Sequence, residues 1–350
     1  MGLNSDVNSG DPLGVGIGTV CIHDGHRQTA SSAYLEPRPA NLKIFTNAQV
    51  RRILFEEKVA IGVETIDERS YKARREVIIS AGAINSPQLL MLSGIGPTDE
   101  LAKHGIKVIQ NLPQLGRNLQ DHCFSSAGIV LKGKSDSPEA KQVPTPMGWF
   151  KIGAVETSKE FQALPMPLQT YLRASTVPHW ELATHTPFFD GEEVGADEEV
   201  FSSICLVMGP QSRGCVTLAS TDPCQAPLIN PAFLSHPFDR RVMIEAMREM
   251  LRFFQAPVFR ERIVCTLAWP EDNTDEAVLV RLHLIRACDS ANLACLQKRC
   301  KSNLQSSWHA CGTLAMGRDQ ESSCVDSNFK VLGLERLRVV DMSVCPLIPK

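Results

Sequence analysis

The clearest periodicity in the chain lies between Met243 and Phe254. Met243, Ala246, Met247, Met250, Leu251 and Phe254 recur at i, i+3, i+4, i+7, i+8 and i+11, while Arg241, Glu245, Arg248, Glu249 and Arg252 take the other side. That spacing predicts an amphipathic helix with a core-filling methionine face. Strand signals are shorter. "NLKIFTNAQVRRILFE" predicts two strands broken near Asn47, and "SICLVMG" and "GCVTLAS" predict two more. Val77, Ile78 and Ile79 are apolar on consecutive positions, which predicts a strand covered on both faces. After them Ala81, Gly82 and Ala83 leave the backbone bare enough for close approach. Ser86 stands where an N-cap belongs and Pro87 at a first helical position, so a helix is expected to point its free N–H groups at that gap until Gly94, Gly96 and Pro97 stop it.

These signals divide the chain into three stretches. Residues 1–120 alternate short β-rich runs with turns and are α/β in character. From Asp121 to about Val200 the text is irregular, rich in proline and acidic near 191–199; order then returns from Phe201. "RACDSANLACLQKRCKSNLQ" carries three cysteines on a weak periodicity, and no physical account of it is offered.

Composition narrows the classes. At 350 residues, 43% hydrophobic and 21% charged, the chain can bury a substantial core and has room for about two domains. A net charge of −3 with no basic run argues against nucleic acid and for small-molecule partners. No apolar run approaches the ~20 residues of a membrane span, and "MGLNSDVNSGDP" has no secretory pattern. The expected compartment on this sequence is cytoplasmic, although a preceding segment could have carried a signal peptide. The 12 cysteines include no C-x-x-C pair and no zinc spacing, so buried or idle thiols are expected and no metal site. There is no G-x-S-x-G elbow, which sets aside a serine hydrolase.

The wording of particular blocks says more than their physics. "GAINSPQLLMLSGIGP" resembles a signature of the glucose-methanol-choline (GMC) oxidoreductases, FAD-dependent enzymes that oxidise alcohols. "RQTASSAYLEP", "LPQLGRNLQDH", "GPQSRGCVTLASTDPCQAPLINPAFLSHP", "WHACGTLAMG" and "VVDMSVCPLIP" are similar to further blocks of that family, in family order. The resemblance implies an α/β plus α+β fold: an incomplete FAD-binding Rossmann-like domain with a sheet-and-helix substrate domain. It places a partial FAD-binding domain at 1–120, a substrate domain at 121–304, and a return to the flavin domain at 305–350.

It also implies roles. His309, in an H-x-x-G-T-x-x-M-G block with Gly312, Thr313, Met316 and Gly317, is expected to act as base on a small-molecule alcohol. A neutral imidazole can take a hydroxyl proton near neutral pH, and hydride needs a cofactor, here FAD. Val50 is expected to pair backbone groups with the adenine, Ala81 and Gly82 to let the dinucleotide approach, and Asp341 with Met342 to lie near its pyrophosphate or ring. Asn118, Asp121 and His122 belong to a family loop and are expected to be structural.

Two departures qualify the resemblance. The family's opening G-x-G-x-x-G unit is absent; "GDPLGVGIG" matches a different family region. A second histidine or asparagine is expected beyond the "VVD-x-S-x-x-P" block, and Lys350 comes first. Ala310 replaces a usual proline. The chain is therefore expected to be truncated at both ends, to leave an apolar strand edge near "REVIIS", and to bind FAD weakly or not at all by itself. Three readings follow: alcohol oxidation, with a polyketide-like or aromatic alcohol of secondary metabolism as one substrate class; lyase or cyclase chemistry on the same fold; or a catalytically dead remnant.

Overall fold

The computed structural model describes residues 2–134, 146–184, 189, 194–282 and 304–349. The cysteine-bearing stretch noted above falls almost wholly outside them. Two apolar cores organise the rest. The larger is a seven-stranded antiparallel sheet backed by one long helix. Its strands run in the order Gly14–Ile17, Pro146–Phe150, Trp180–Thr184, Glu198–Val207, Cys123–Lys132 and Ile263–Leu267, and Leu304–Ser306 pairs with the start of Cys123–Lys132. The strand Cys123–Lys132 is buried along nearly its whole length because both its faces are used. Cys123, Ala127, Ile129 and Leu131 face the core shared with the helix, and Phe124 packs instead with Leu206 and Met208.

The helix is Pro237–Phe254, and its periodic face is the one that buries. Met243, Ala246, Met247, Met250 and Phe254 have no exposed surface. It starts on a proline after His236, whose ring accepts the Phe238 N–H, and Asp239 in its first turn accepts the Gln211 and Ser212 N–H groups at 2.8 and 2.7 Å. On the polar side Arg241 and Arg248 both reach Asp275. Of the two runs "SICLVMG" and "GCVTLAS", the first lies in the strand Glu198–Val207 of the large sheet. The second gives Cys215–Thr217, paired with Leu228–Asn230 in a separate ribbon.

The second core is mixed α/β. A meander of Val50–Glu56, Val59–Thr65 and Ser70–Lys72 lies near the helix Gly82–Leu92 and a two-stranded parallel pair, Val77–Ile79 with Leu337–Val339. Three expectations are corrected here. Only one strand forms from "NLKIFTNAQVRRILFE": residues before Val50 are not a strand, Asn47 takes φ +53°, and Ile44 and Phe45 stay exposed although the Phe45 ring meets Tyr71 of Ser70–Lys72. Ile78 is 56% exposed, so the apolar run is covered on one face only. Among the described residues the strand Val77–Ile79 pairs on one side alone, leaving the expected apolar edge.

The third correction concerns the helix start. The helix begins at Gly82, not Pro87, and Ser86 lies inside it. From there the Ser86 hydroxyl turns back to accept the Ala81 N–H at 3.0 Å. Pro87 is thus an interior proline that has no N–H for the Ala83 carbonyl four residues earlier. The chain meets that deficit from far away in sequence: the Thr313 hydroxyl donates to the Ala83 carbonyl at 2.7 Å.

Candidate active site

The site is built on two loops brought together by a short antiparallel bridge. Gln120 and Cys311 exchange backbone N–H···O bonds of 3.0 and 2.9 Å, which sets the loop 116–122 beside the loop 306–313. Asp121, 8% exposed, then clamps the second loop. Its Oδ1 accepts the His309 N–H at 3.0 Å and the Ser307 hydroxyl at 3.1 Å, and its Oδ2 accepts the Ser306 hydroxyl. A charged acceptor facing three converging donors fixes a backbone that also carries a left-handed residue, Trp308 at φ +61°.

The clamp presents His309 to His122. Their Nδ1 atoms are 3.1 Å apart with the rings nearly perpendicular, at 88°. A contact of that length needs exactly one proton between the two nitrogens. His122 is 4% exposed; burial, then the neighbouring His309, pushes its ring down to about 3. It therefore stays neutral at any physiological pH, and its Nε2 is buried without a partner. With His309 as the Nδ1–H donor and His122 as acceptor, the His309 Nε2 keeps a free lone pair. His309 is exposed, unlike its partner, and lines a cavity of about 520 Å³ together with His122, Met342, Trp149, Met208 and Glu181.

A second cavity of about 510 Å³ lies beside the bare turn and is lined by Gln49, Val50, Ile78, Ala81 and Asn85 among others. The sequence-derived residues thus fall into two groups: His309 with Met342, and Val50 with Ala81. Asp341 joins them. Its carboxylate accepts the Gly82 N–H at 2.9 Å and the Ser86 hydroxyl at 2.6 Å, and also caps the short helix Met342–Val344 through the Ser343 N–H. Asp341 is accordingly a joint between the turn and the Met342 segment.

A flavin dinucleotide can be tested against these surfaces. Gly82 has φ +81°, a conformation that favours glycine, and a Cβ there would meet nothing within 4 Å, so the turn opens on free space. Ile78 and Met342 each expose an apolar side chain, one at each cavity. The helix terminus between them does not suit a diphosphate. The first two N–H donors, Ala81 and Gly82, are already taken by Ser86 and by a carboxylate. The residues present fit the adenine end and the ring end of the group, with the diphosphate left to be held by other residues.

Sequence reasoning passed over three residues that line this cavity. His122 was expected to be structural, and nothing short of its spatial neighbour could have promoted it. Glu181 and Trp149 gave no motif at all. Asn118 donates to the Gly312 and Pro346 carbonyls.

The histidine pair thus stands at the mouth of one cavity, beside the bare strand-turn-helix that borders the other. Residues 1–124 and 210–350 match the two models of the GMC oxidoreductase family, and the chain belongs to that family. It is 34% identical over 354 residues to an uncharacterized GMC-type oxidoreductase of Mycobacterium tuberculosis, covering 97% of this chain and 62% of that protein. It is 30% identical to an alcohol dehydrogenase (acceptor) of Pseudomonas putida, with 99% and 62% covered. Among solved structures it is similar to a formate oxidase of Aspergillus oryzae examined for its FAD modification, at TM-score 0.80 and 26% identity, over 99% of this chain and 64% of that one. The chain thus spans about three fifths of the length of the relatives it matches, and its mixed α/β architecture is a partial GMC fold.

Proposed function

We propose that the chain forms the substrate-facing wall of an FAD-dependent alcohol oxidoreductase with His309 as the base. The observation that carries this reading is the 3.1 Å contact between the Nδ1 atoms of His122 and His309 at the edge of the cavity that Met342 also lines. Val50, Ala81 and Gly82 would hold the adenine end of FAD, and Met342 with His309 would border the ring. When bound, FAD supplies the hydride acceptor that no side chain can offer.

The residues of this chain handle the proton. The His309 Nε2 accepts it from the substrate hydroxyl, which readies the carbinol carbon to lose hydride. The charge that forms on the imidazole is met at Nδ1–H by the neutral His122 ring, which is too deeply buried to compete for the proton itself. Asp121 keeps the loop in place without touching the reacting ring, because its contact is to the His309 backbone. The thioethers of Met147 and Met208 and the indoles of Trp149 and Trp308 favour an aromatic or polyketide-like carbon skeleton, which supports a place in secondary metabolism.

The test is anaerobic mixing of an alcohol with the protein saturated with added FAD. Bleaching of the flavin absorbance, lost in His309→Ala, is expected. Product formed without bleaching would replace this reading with lyase or cyclase chemistry.

A further inference from the structure

The large sheet contributes its own wall to the histidine cavity. Trp149 and Glu181 are register partners on neighbouring strands, so their side chains stand on one face of the sheet. The Trp149 Nε1–H donates to Glu181 Oε2 at 3.0 Å, and both residues line the cavity beside Met147 and Met208. Glu181 is 7% exposed, and no cation among the described residues pairs with it. A carboxyl placed on an apolar, aromatic wall without a counter-charge is an expensive choice. Satisfying one indole N–H does not explain it, since a single acceptor oxygen suffices for that. The other oxygen, Oε1, has no partner among the described residues, yet it is not among the sealed polar atoms that lack one. It therefore keeps access to the cavity.

We propose that Glu181 is a substrate-recognition residue, its free carboxyl oxygen binding a second hydrogen-bond donor, a hydroxyl or an ammonium, on the alcohol that His309 deprotonates. The inference rests on the reading of His309 as base. It defines the substrate class as bifunctional alcohols whose carbon skeleton lies along Trp149, Met147 and Met208. Burial raises the carboxyl to about 7, tempered by the Trp149 hydrogen bond, so both protonation states are populated near neutrality and either donor can be met.

Binding and turnover are measured separately on the protein saturated with added FAD. Binding is read from the fluorescence of the cavity indoles, Trp149 and Trp308. The probes are benzyl alcohol, 4-hydroxybenzyl alcohol and 4-(aminomethyl)benzyl alcohol. At least one of the two bifunctional probes is expected to bind the wild type about tenfold more tightly than benzyl alcohol, the equivalent of about 1.4 kcal/mol. In Glu181→Gln one oxygen still serves Trp149 while an NH₂ replaces the cavity-facing acceptor, and the preference is expected to shrink to about twofold. Preference for the hydroxyl probe alone identifies a diol-type substrate, and preference for the amine alone identifies an amino alcohol. Equal binding of all three probes by the wild type overturns the proposal, as does an unchanged preference in a folded Glu181→Gln protein. The wild-type comparison needs no variant, so it decides even where Glu181→Gln does not fold. A binding preference with no flavin reduction by any probe would sink the base reading and leave the recognition role of Glu181 standing.

Discussion

Replacing Thr313 by valine removes one hydroxyl and almost no volume, and its effect is expected to depend on a residue in a distant part of the sequence. Thr313 is fully buried and donates to the Ala83 carbonyl, which Pro87 cannot serve. In the wild-type background the substitution leaves a buried carbonyl without its donor, a loss of about 1–3 kcal/mol. For a urea slope of about 3 kcal/mol/M, a 2 kcal/mol loss moves the unfolding midpoint down by about 0.7 M.

In Pro87→Ala the residue at 87 regains an N–H, and the ordinary i→i−4 bond to Ala83 can form. Thr313→Val should then cost less than about 0.5 kcal/mol, because the carbonyl has a second donor. The general effects of removing a helical proline cancel in the double-mutant cycle, leaving a coupling of about 1–2 kcal/mol. Urea unfolding of the four proteins, followed by circular dichroism, measures it. An equal cost of Thr313→Val in both backgrounds would show that the hydroxyl is not standing in for the missing N–H.

The remaining predictions concern the site. His309→Ala in flavin-loaded protein should lower the rate of flavin reduction by about 10²–10⁴; an unchanged rate removes His309 as base. Asp121→Asn keeps one acceptor oxygen but loses the charge facing three donors, so it should cost about 2 kcal/mol by urea unfolding, and a neutral result would mean the clamp is not holding its loop. Stability should also depend on pH through opposed groups. Glu181, raised from 4.5 to about 7, holds in the native state a proton the unfolded chain has lost, so its contribution falls as pH rises through that window. His122 and His179, lowered by burial from 6.5 to about 3 and about 4, refuse a proton the unfolded chain binds, so theirs rises with pH over the same range. Glu181→Gln should therefore make stability climb more steeply between pH 4.5 and 6.5, and curves parallel to wild type would refute the burial of that carboxyl.

What the sequence made legible was whatever depends on period and on local chemistry. The methionine face of Pro237–Phe254 repeats often enough to leave no other reading, and burial followed it residue by residue. The consecutive apolar residues 77–79 do form a strand, but whether both faces are covered depends on neighbours the run cannot encode, and Ile78 is exposed. The start of Gly82–Leu92 was misplaced because serine and proline are ordinary start signals. Here the serine caps from inside the helix and the proline is excused by Thr313. In the site, His309 was visible through its block. His122 and Glu181 were not, since their importance comes from a 3.1 Å contact and a shared cavity between segments far apart in sequence.

The bare turn, which carries no reactive side chain, has a mechanical role that follows from these contacts. Its first helical N–H and its serine are both held by Asp341, and the residue after Asp341 is Met342, at the cavity. Its Ala83 carbonyl is held by Thr313, in the loop that Asp121 and the Gln120–Cys311 bridge place under His309. A shift in the start of the helix Gly82–Leu92 would therefore reach Met342 through one carboxylate and the His309 loop through one hydroxyl. Small residues at 81–83 bring the backbone itself into these contacts, and a backbone donor or acceptor has no rotamer to lose. The turn is the common anchor of both cavities, so its register sets the spacing between the cavity that Val50 and Ala81 line and the histidine pair.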